Sequence, residues 1–266
     1  MLLKNNLISK KYIFLALIIS LIISLQKWIL SYVFFPDDLS LKIIFDSSSD
    51  GYLYFAHLKS LSALEFNNSF DMDIVNLKNL SLPFSSILIP SILYSLIGPF
   101  SVIIIELIFI FFYLLTFFLL LREFNLKEIH ALTISLFLLV IPSSLQLFEL
   151  DTLKYLNHLS QILDLRFPRP FLVNIFFYFF IFYLLHIQKK DLFNYKNFII
   201  LGLLLSYSLT SFYHFFFIQF LTIIIFLIYK KKFLNLFYLK NLKYLFSFIL
   251  SFMVFFLPFL YFLMTS

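Results

Sequence analysis

Long apolar segments recur along this 266-residue chain, and they limit what it can fold into more than any other feature. The blocks run Tyr12–Leu30, Leu82–Ile97, Phe100–Leu121, Ile129–Leu147, Phe171–Ile187, Phe198–Tyr229 and Leu242–Leu263. A helix needs about 20 apolar residues to cross a hydrocarbon core about 30 Å thick, and most blocks approach or exceed that length. None of them alternates with a period of two, so helices are expected in place of the strands of an outer-membrane barrel. Hydrophobic residues make up 62% of the chain, which leaves too little polar surface for a soluble exterior. The expected fold is all-α, a polytopic transmembrane helical bundle of about seven spans in a single domain covering residues 1–266.

Charge sets the expected topology. Lysines between the apolar blocks account for the net charge of +6, a pattern of cytoplasmic loops and not of a nucleic-acid-binding patch. The amino terminus and the junctions Arg122–Lys127, Lys189–Lys196 and Lys230–Lys243 hold thirteen of the twenty Lys and Arg, so all four are expected to face the cytoplasm. The first block is longer than a signal-peptide core, ends in Trp28 and Tyr32, and lacks a small-residue cleavage site. It reads as an uncleaved first span with the amino terminus inside.

Two blocks then need interpretation. Going from an outside acidic loop to Arg122 inside requires an odd number of crossings, yet two blocks intervene, split at Gly98-Pro99. The expected resolution lets only Phe100–Leu121 cross. Leu82–Ile97, with Pro83 and Pro90, would lie in the interface or dip in and return as a juxtamembrane helix over 83–97. Phe198–Tyr229 would measure about 48 Å as one helix, too long for one upright crossing. Its centre carries Tyr207, Ser208, Thr210, Ser211, Tyr213 and His214, so two short spans with a tip near Ser211–His214 are expected.

The acids are concentrated. Seven of the fourteen, Asp37, Asp38, Asp46, Asp50, Glu65, Asp71 and Asp73, fall in the expected outer loop 36–82. A second outer loop over 148–170 carries Glu149, Asp151, Lys154, His158, Asp164, Arg166 and Arg169. Ionisable groups are costly near a membrane, and carboxylates facing basic residues at its surface suit a lipid-linked phosphate substrate. An Asp can serve as general base or metal ligand, and the arginine fork binds phosphoryl groups. Plainer roles stand beside these. Asp37-Asp38 after Pro36 can cap a helix or solvate a loop, Asp50-Gly51 is a common turn pair, and Arg166 and Arg169 can anchor a helix end. Glu106 lies within a block, either near the outer mouth or paired inside the bundle. His57, His130, His158, His186 and His214 lack the local spacing of a zinc site. The absence of cysteine excludes disulfides and thiolate metal sites. The 41 Phe read as compositional drift of an AT-rich genome, and only three Gly argue against tight GxxxG helix pairing.

The stretch Asp50-Gly51-Tyr52-Leu53-Tyr54-Phe55-Ala56 after a first span resembles the first outer loop of the GT-C superfamily of polytopic glycosyltransferases. Pro83 to Pro90 is similar to the proline-bearing juxtamembrane helix that precedes the second span in that superfamily. Arg166-Phe167-Pro168-Arg169-Pro170 opening a span, and Gly202 through His214, resemble mid-module segments of bacterial members. The likeness covers most of the chain as a pattern of hydropathy and scattered residues. It departs from the family in having Gly51 where an acidic neighbour of Asp50 is usual, and no His or Lys around Pro83. The resemblance implies an amino-terminal transmembrane module, expected to be truncated at its carboxyl end relative to full-length enzymes. It implies transfer of a sugar from a polyprenyl-phosphate-linked donor to an acceptor on the non-cytoplasmic face. Asp50 would be catalytic base or metal ligand, with Asp46, Asp37 and Asp38 as rivals. Glu149 or Asp151 would be the second acidic group, Arg166 and Arg169 would bind lipid phosphate, and a divalent cation (Mg or Mn) would assist. The expected partners are the donor and membrane lipids, in a bacterial inner (plasma) membrane. The alternative is a transporter or flippase component for lipid-linked saccharides, which would place polar groups at mid-membrane depth. A third reading is an inactive, scaffold-like relative.

Overall fold

The computed structural model describes residues 9–34, 51–64, 83–147, 171–189, 193–231, 234, 238 and 241–265. Among them the regular structure is entirely helical. We label the helices α1 (Lys10–Phe34), α2 (Gly51–Ser62), α3 (Phe84–Ile97), α4 (Ser101–Glu123), α5 (Glu128–Leu147), α6 (Phe171–Gln188), α7 (Tyr195–Ser211), α8 (Tyr213–Tyr229) and α9 (Leu242–Thr265). A 3-10 turn, Gly98–Phe100, joins α3 to α4. Apart from α2, which falls in the expected outer loop, the helices follow the apolar blocks, and α1, α4 and α7 extend past them into flanking basic residues.

Three runs are long and apolar enough to cross a membrane: Phe84–Glu123, Phe171–Gln188 and Leu242–Met264. Many large apolar side chains also face outward, among them Phe14, Ile22, Leu96, Phe217, Ile225 and Leu257. Only 17% of the apolar window of α9 is buried. A water-facing surface cannot carry this load, whereas lipid chains cover it without cost, so the chain is a membrane protein.

The first run cannot be one straight crossing, because its 40 residues would extend about 60 Å as a continuous helix. It breaks at Gly98, whose φ of +69° lies in the region that disfavours a side chain, and Pro99 follows. The Phe198–Tyr229 block also breaks, at the extended residue Phe212 (φ −155°, ψ 91°), within the expected tip. The two halves pack against each other: Leu227, with Ile223 and Phe226 beside it, shares a core cluster with Phe198, Leu201 and Leu204.

Contacts align the helix ends. The Ser9 amide donates to Glu128 Oε1 at 2.8 Å, joining the starts of α1 and α5. Glu123 at the end of α4 binds His186 and Lys189 at the end of α6. Lys230 Nζ donates to the Gln188 carbonyl at 2.9 Å, which brings the end of α8 to the same level. Phe198 stacks on Phe193 and on Tyr244 where α7 and α9 begin. One end of the bundle therefore gathers the starts of α1, α5, α7 and α9 with the ends of α4, α6 and α8. This is the basic end. Helix length carries the other termini of these seven helices to the opposite end.

The closest helix pair is α7 with α9. A Cβ built on Gly202 would lie 2.1 Å from Ser251 Oγ and 2.5 Å from the Phe248 carbonyl oxygen. A single glycine, without a GxxxG repeat, brings these backbones together.

Candidate functional site

The site is built at the end opposite the basic one, where α3 lies against α7 and α9. Phe84, Ser85, Ser86 and Ile87 in the first turn of α3 are all fully buried. Phe84 sits against Phe259 and Phe262 of α9, with ring centroids 5.7 and 5.1 Å away. Leu58 and Leu61 of α2 join the same cluster. Farther along α3, Ile89 and Leu93 pack toward Ile105 and Phe109 of α4, while Leu96 and Ile97 are exposed. Pro90 has no N–H for the Ser86 carbonyl, which loosens α3 one turn from its seated end.

Two hydroxyl pairs tie α3 to α7. Ser85 Oγ and Thr210 Oγ1 stand 2.5 Å apart, and Ser86 Oγ and Tyr207 Oη 2.7 Å apart. Thr210 also donates to the Ser206 carbonyl at 2.9 Å, so its oxygen accepts from Ser85. Tyr207 is held flat against Phe176 of α6, with centroids 3.8 Å apart, and edge-on to Phe255 of α9. The result is a neutral, hydrogen-bonding seam beneath the start of α3. Among the described residues no side chain caps that helix start, which carries the positive end of the helix dipole.

The basic end is chemically different. Glu123 is 7% exposed and receives His186 Nδ1 and Lys189 Nζ, each at 2.6 Å. Tyr183 Oη donates to Asn197 Oδ1 at 2.8 Å and ties α6 to α7 beside it. This is a saturated ion-pair network that holds helix ends.

All eight residues expected to carry the chemistry, Asp50, Asp46, Asp37, Asp38, Glu149, Asp151, Arg166 and Arg169, lie outside the described residues, as does the expected second outer loop 148–170. The described chain bordering them is informative. α2 begins at Gly51, immediately after Asp50, and α6 begins at Phe171, two residues after Arg169. α2, the start of α3 and the start of α6 all belong to the end opposite the basic one, as do the ends of α1 and α5. Both acid-bearing segments therefore join the bundle at the end that carries the hydroxyl seam.

Other candidates are described directly. His57 on α2 is half-buried, and burial pushes its imidazole below the ordinary value. Glu106 on α4 is half-buried and engaged in an interaction. His214 is exposed and lies beside Tyr213, the two rings tilted with centroids 3.9 Å apart. Among the described residues no group of three or more His, Cys, Asp or Glu converges. The shallow groove along α1 lined by Leu21, Ile22, Leu25, Gln26 and Ile29 is apolar and suits lipid contact.

The Ser85 and Ser86 pairings were not foreseen from the sequence, although Tyr207, Thr210 and Ser211 stood out as polar within an apolar block. Gln219, fully buried in α8, was missed altogether.

No family model matches the chain, and neither the curated proteins nor the solved structures provide a match.

Proposed function

We propose that the chain is a membrane glycosyltransferase of the GT-C type, moving a sugar from a polyprenyl-phosphate-linked donor to an acceptor on the non-cytoplasmic face. The observation that carries this reading is the placement of α3. It is a proline-bearing helix seated by two hydroxyl pairs at the end where both acid-bearing segments join. In this reading α1, α4, α5, α6, α7, α8 and α9 are seven crossings, and α3 is the juxtamembrane helix. The basic end faces the cytoplasm together with the amino terminus, in a bacterial inner membrane.

The chemistry follows from the residue types. An acidic side chain, Asp50 first with Asp46, Asp37 and Asp38 as rivals, takes the proton from the acceptor hydroxyl as its oxygen attacks the anomeric carbon. The bond from that carbon to the phosphate oxygen breaks, and polyprenyl phosphate leaves with the electron pair. Arg166 and Arg169 hold the departing phosphate, and the uncapped start of α3 adds a favourable dipole. Glu149 or Asp151 supplies the second acidic group. A divalent cation at Asp50 would further neutralise the leaving phosphate.

The test is transfer from radiolabelled polyprenyl-phosphate sugars in proteoliposomes, comparing the unmodified chain with Asp50→Asn. Loss of transfer in a folded mutant supports the reading and assigns the base or ligand to Asp50. Retained transfer moves that role to Asp46, Asp37 or Asp38. Absence of transfer from every donor overturns the enzyme reading for this chain in favour of a transporter or flippase component. That second reading draws on the fully buried Gln219 and on the helix break at Phe212, since transporters place polar groups and broken helices within the bilayer.

A further inference from the structure

Among the described residues, nine Lys and Arg lie at the basic end against two acids, Glu123 and Glu128. Both acids are engaged: Glu123 binds His186 and Lys189, and Glu128 accepts the Ser9 amide. Two of the cations are engaged as well, Lys230 by the Gln188 carbonyl and Arg122 by that of Leu126. This end keeps a positive surplus. Surplus charge attracts anions diffusely, whereas a site needs a cation held in place before the anion arrives.

Lys243 is such a cation. Its Nζ stands 5.5 Å from the ring centre of Tyr195 and 5.1 Å from that of Tyr244, where α7 and α9 begin. The two rings are tilted with centroids 4.9 Å apart, and Tyr244 packs in turn against Phe193 and Phe198. Ring faces position an ammonium but leave its charge to be balanced. No carboxylate of the described residues pairs with Lys243, and Asp191 in the junction before α7 lies outside them. Lys243 and Tyr195 are exposed, as is Lys196 in the first turn of α7. The positive dipole ends of α7 and α9 meet at the same place.

The residues deeper along these helices are apolar and face outward. Ile199 follows Tyr195 by one turn of α7, and Phe246 and Leu250 follow Lys243 by one and two turns of α9. A cation and tyrosine at the interface, above an apolar face, match a phospholipid, with its phosphate at the surface and its acyl chains along the helices. A free phosphate would use only the upper half.

We propose that Lys243, Lys196 and Tyr195 bind the phosphate of an anionic phospholipid in the leaflet at the basic end, with its acyl chains on Ile199, Phe246 and Leu250. This inference is independent of the glycosyltransferase reading.

Native mass spectrometry of the purified chain in neutral detergent, titrated with phosphatidylglycerol or phosphatidylcholine, counts bound lipid. Phosphatidylglycerol should bind more tightly. Lys243→Gln should weaken its binding about fivefold, the loss expected for one lysine at an anionic surface. Lys243→Arg should keep most of the affinity, because a guanidinium also rests on tyrosine rings. Lys231→Gln removes the same charge from the exposed end of α8 and should weaken binding by less than about twofold, since screening confines the effect to nearby charges. Circular dichroism confirms that each variant keeps its helix content. Equal effects of Lys243→Gln and Lys231→Gln would show diffuse attraction alone and overturn the site. Equal affinity of the natural chain for the two lipids would overturn it without any substitution. Glycerol 3-phosphate in excess should leave the lipid bound, and displacement by it would overturn the lipid as occupant in favour of a free phosphate.

Discussion

The two ends of the bundle solve the same problem with different chemistry. At the basic end, helix termini are joined by charge: buried Glu123 is met by a histidine and a lysine, and Glu128 accepts the Ser9 amide. At the opposite end, α3 is held by two neutral hydroxyl pairs and by ring packing. An unpaired charge in an apolar setting is so costly that the first arrangement has one stable state. A hydroxyl pair contributes only about 1 kcal/mol net and can trade partners with water at little loss. The basic end is therefore a clamp and the seam an adjustable seat. The lipid-borne substrate of the proposed function would need the second kind of end.

The strongest way to break this comparison is to remove the element both ends share. α7 carries Asn197 toward the clamp and Tyr207 and Thr210 toward the seam, and Gly202 presses it onto α9. Gly202→Val should cost about 3 kcal/mol or more by overpacking against the Phe248 carbonyl, which cannot move aside as a side chain can. Adding Ser251→Ala should recover only a small part of the loss. Thermal unfolding in detergent, followed by circular dichroism, reads both. A fully rescued double variant would mean that the backbone contact is not the limiting one.

The clamp alone should yield the next largest effect. Lys189→Ala leaves buried Glu123 with His186 as its remaining ion-pair partner and should lower stability by about 1.5 kcal/mol. That is the lower end for a hydrogen bond to a charged group, because the Lys189 side chain is 57% exposed and screened by water. The same thermal assay checks it, and an unchanged midpoint would demote the clamp to an incidental surface contact. At the seam, Ser86→Ala and Tyr207→Phe should each cost about 1 kcal/mol, because each leaves one buried hydroxyl without its mate. The double variant should cost less than the sum, since both mates are then gone. Strict additivity would show that the two groups do not act as a pair.

Much of the helical framework was legible because hydropathy and helix length are local properties. Gly98-Pro99 announced the corner before α4, since a positive φ suits glycine and a proline cannot continue the preceding helix. The polar middle of the Phe198–Tyr229 block announced the break at Phe212, because a 32-residue helix outruns the bilayer. The seam was not legible. Ser85 and Ser86 are common residues, and only the fold shows that they meet Thr210 and Tyr207, more than 120 positions away. Glu123 was hidden in the same way: beside Arg122 in a basic junction it reads as a solvated charge, yet helix register turns it inward onto α6. Gln219 gave no signal because one amide barely alters the hydropathy of seventeen apolar residues. The acids of the two expected outer loops stand at the opposite extreme, conspicuous in the sequence and outside the described residues.

The smallest effect expected concerns α2, the element that leads from Asp50 toward the seam. His57 lies one residue before Leu58, which is fully buried in the cluster around Phe84, so the imidazole is partly withdrawn from water. Burial holds its pKa below the usual value in the folded chain. In the unfolded chain it should titrate near the ordinary value of about 6.5. Below that pH the unfolded state binds the proton more readily than the folded one, so stability falls as pH drops through about 6.5 and levels off once the folded form also protonates. Above that range the penalty vanishes. Hydrogen exchange over Gly51–Ser62, corrected for intrinsic rates, should show less protection at pH 5.5 than at pH 7.5, while α4 near the clamp keeps its protection. His57→Gln should remove the difference. If α2 stays equally protected at both values, the imidazole is already wet, and the seam opens to water farther along α2 than its packing on Phe84 implies.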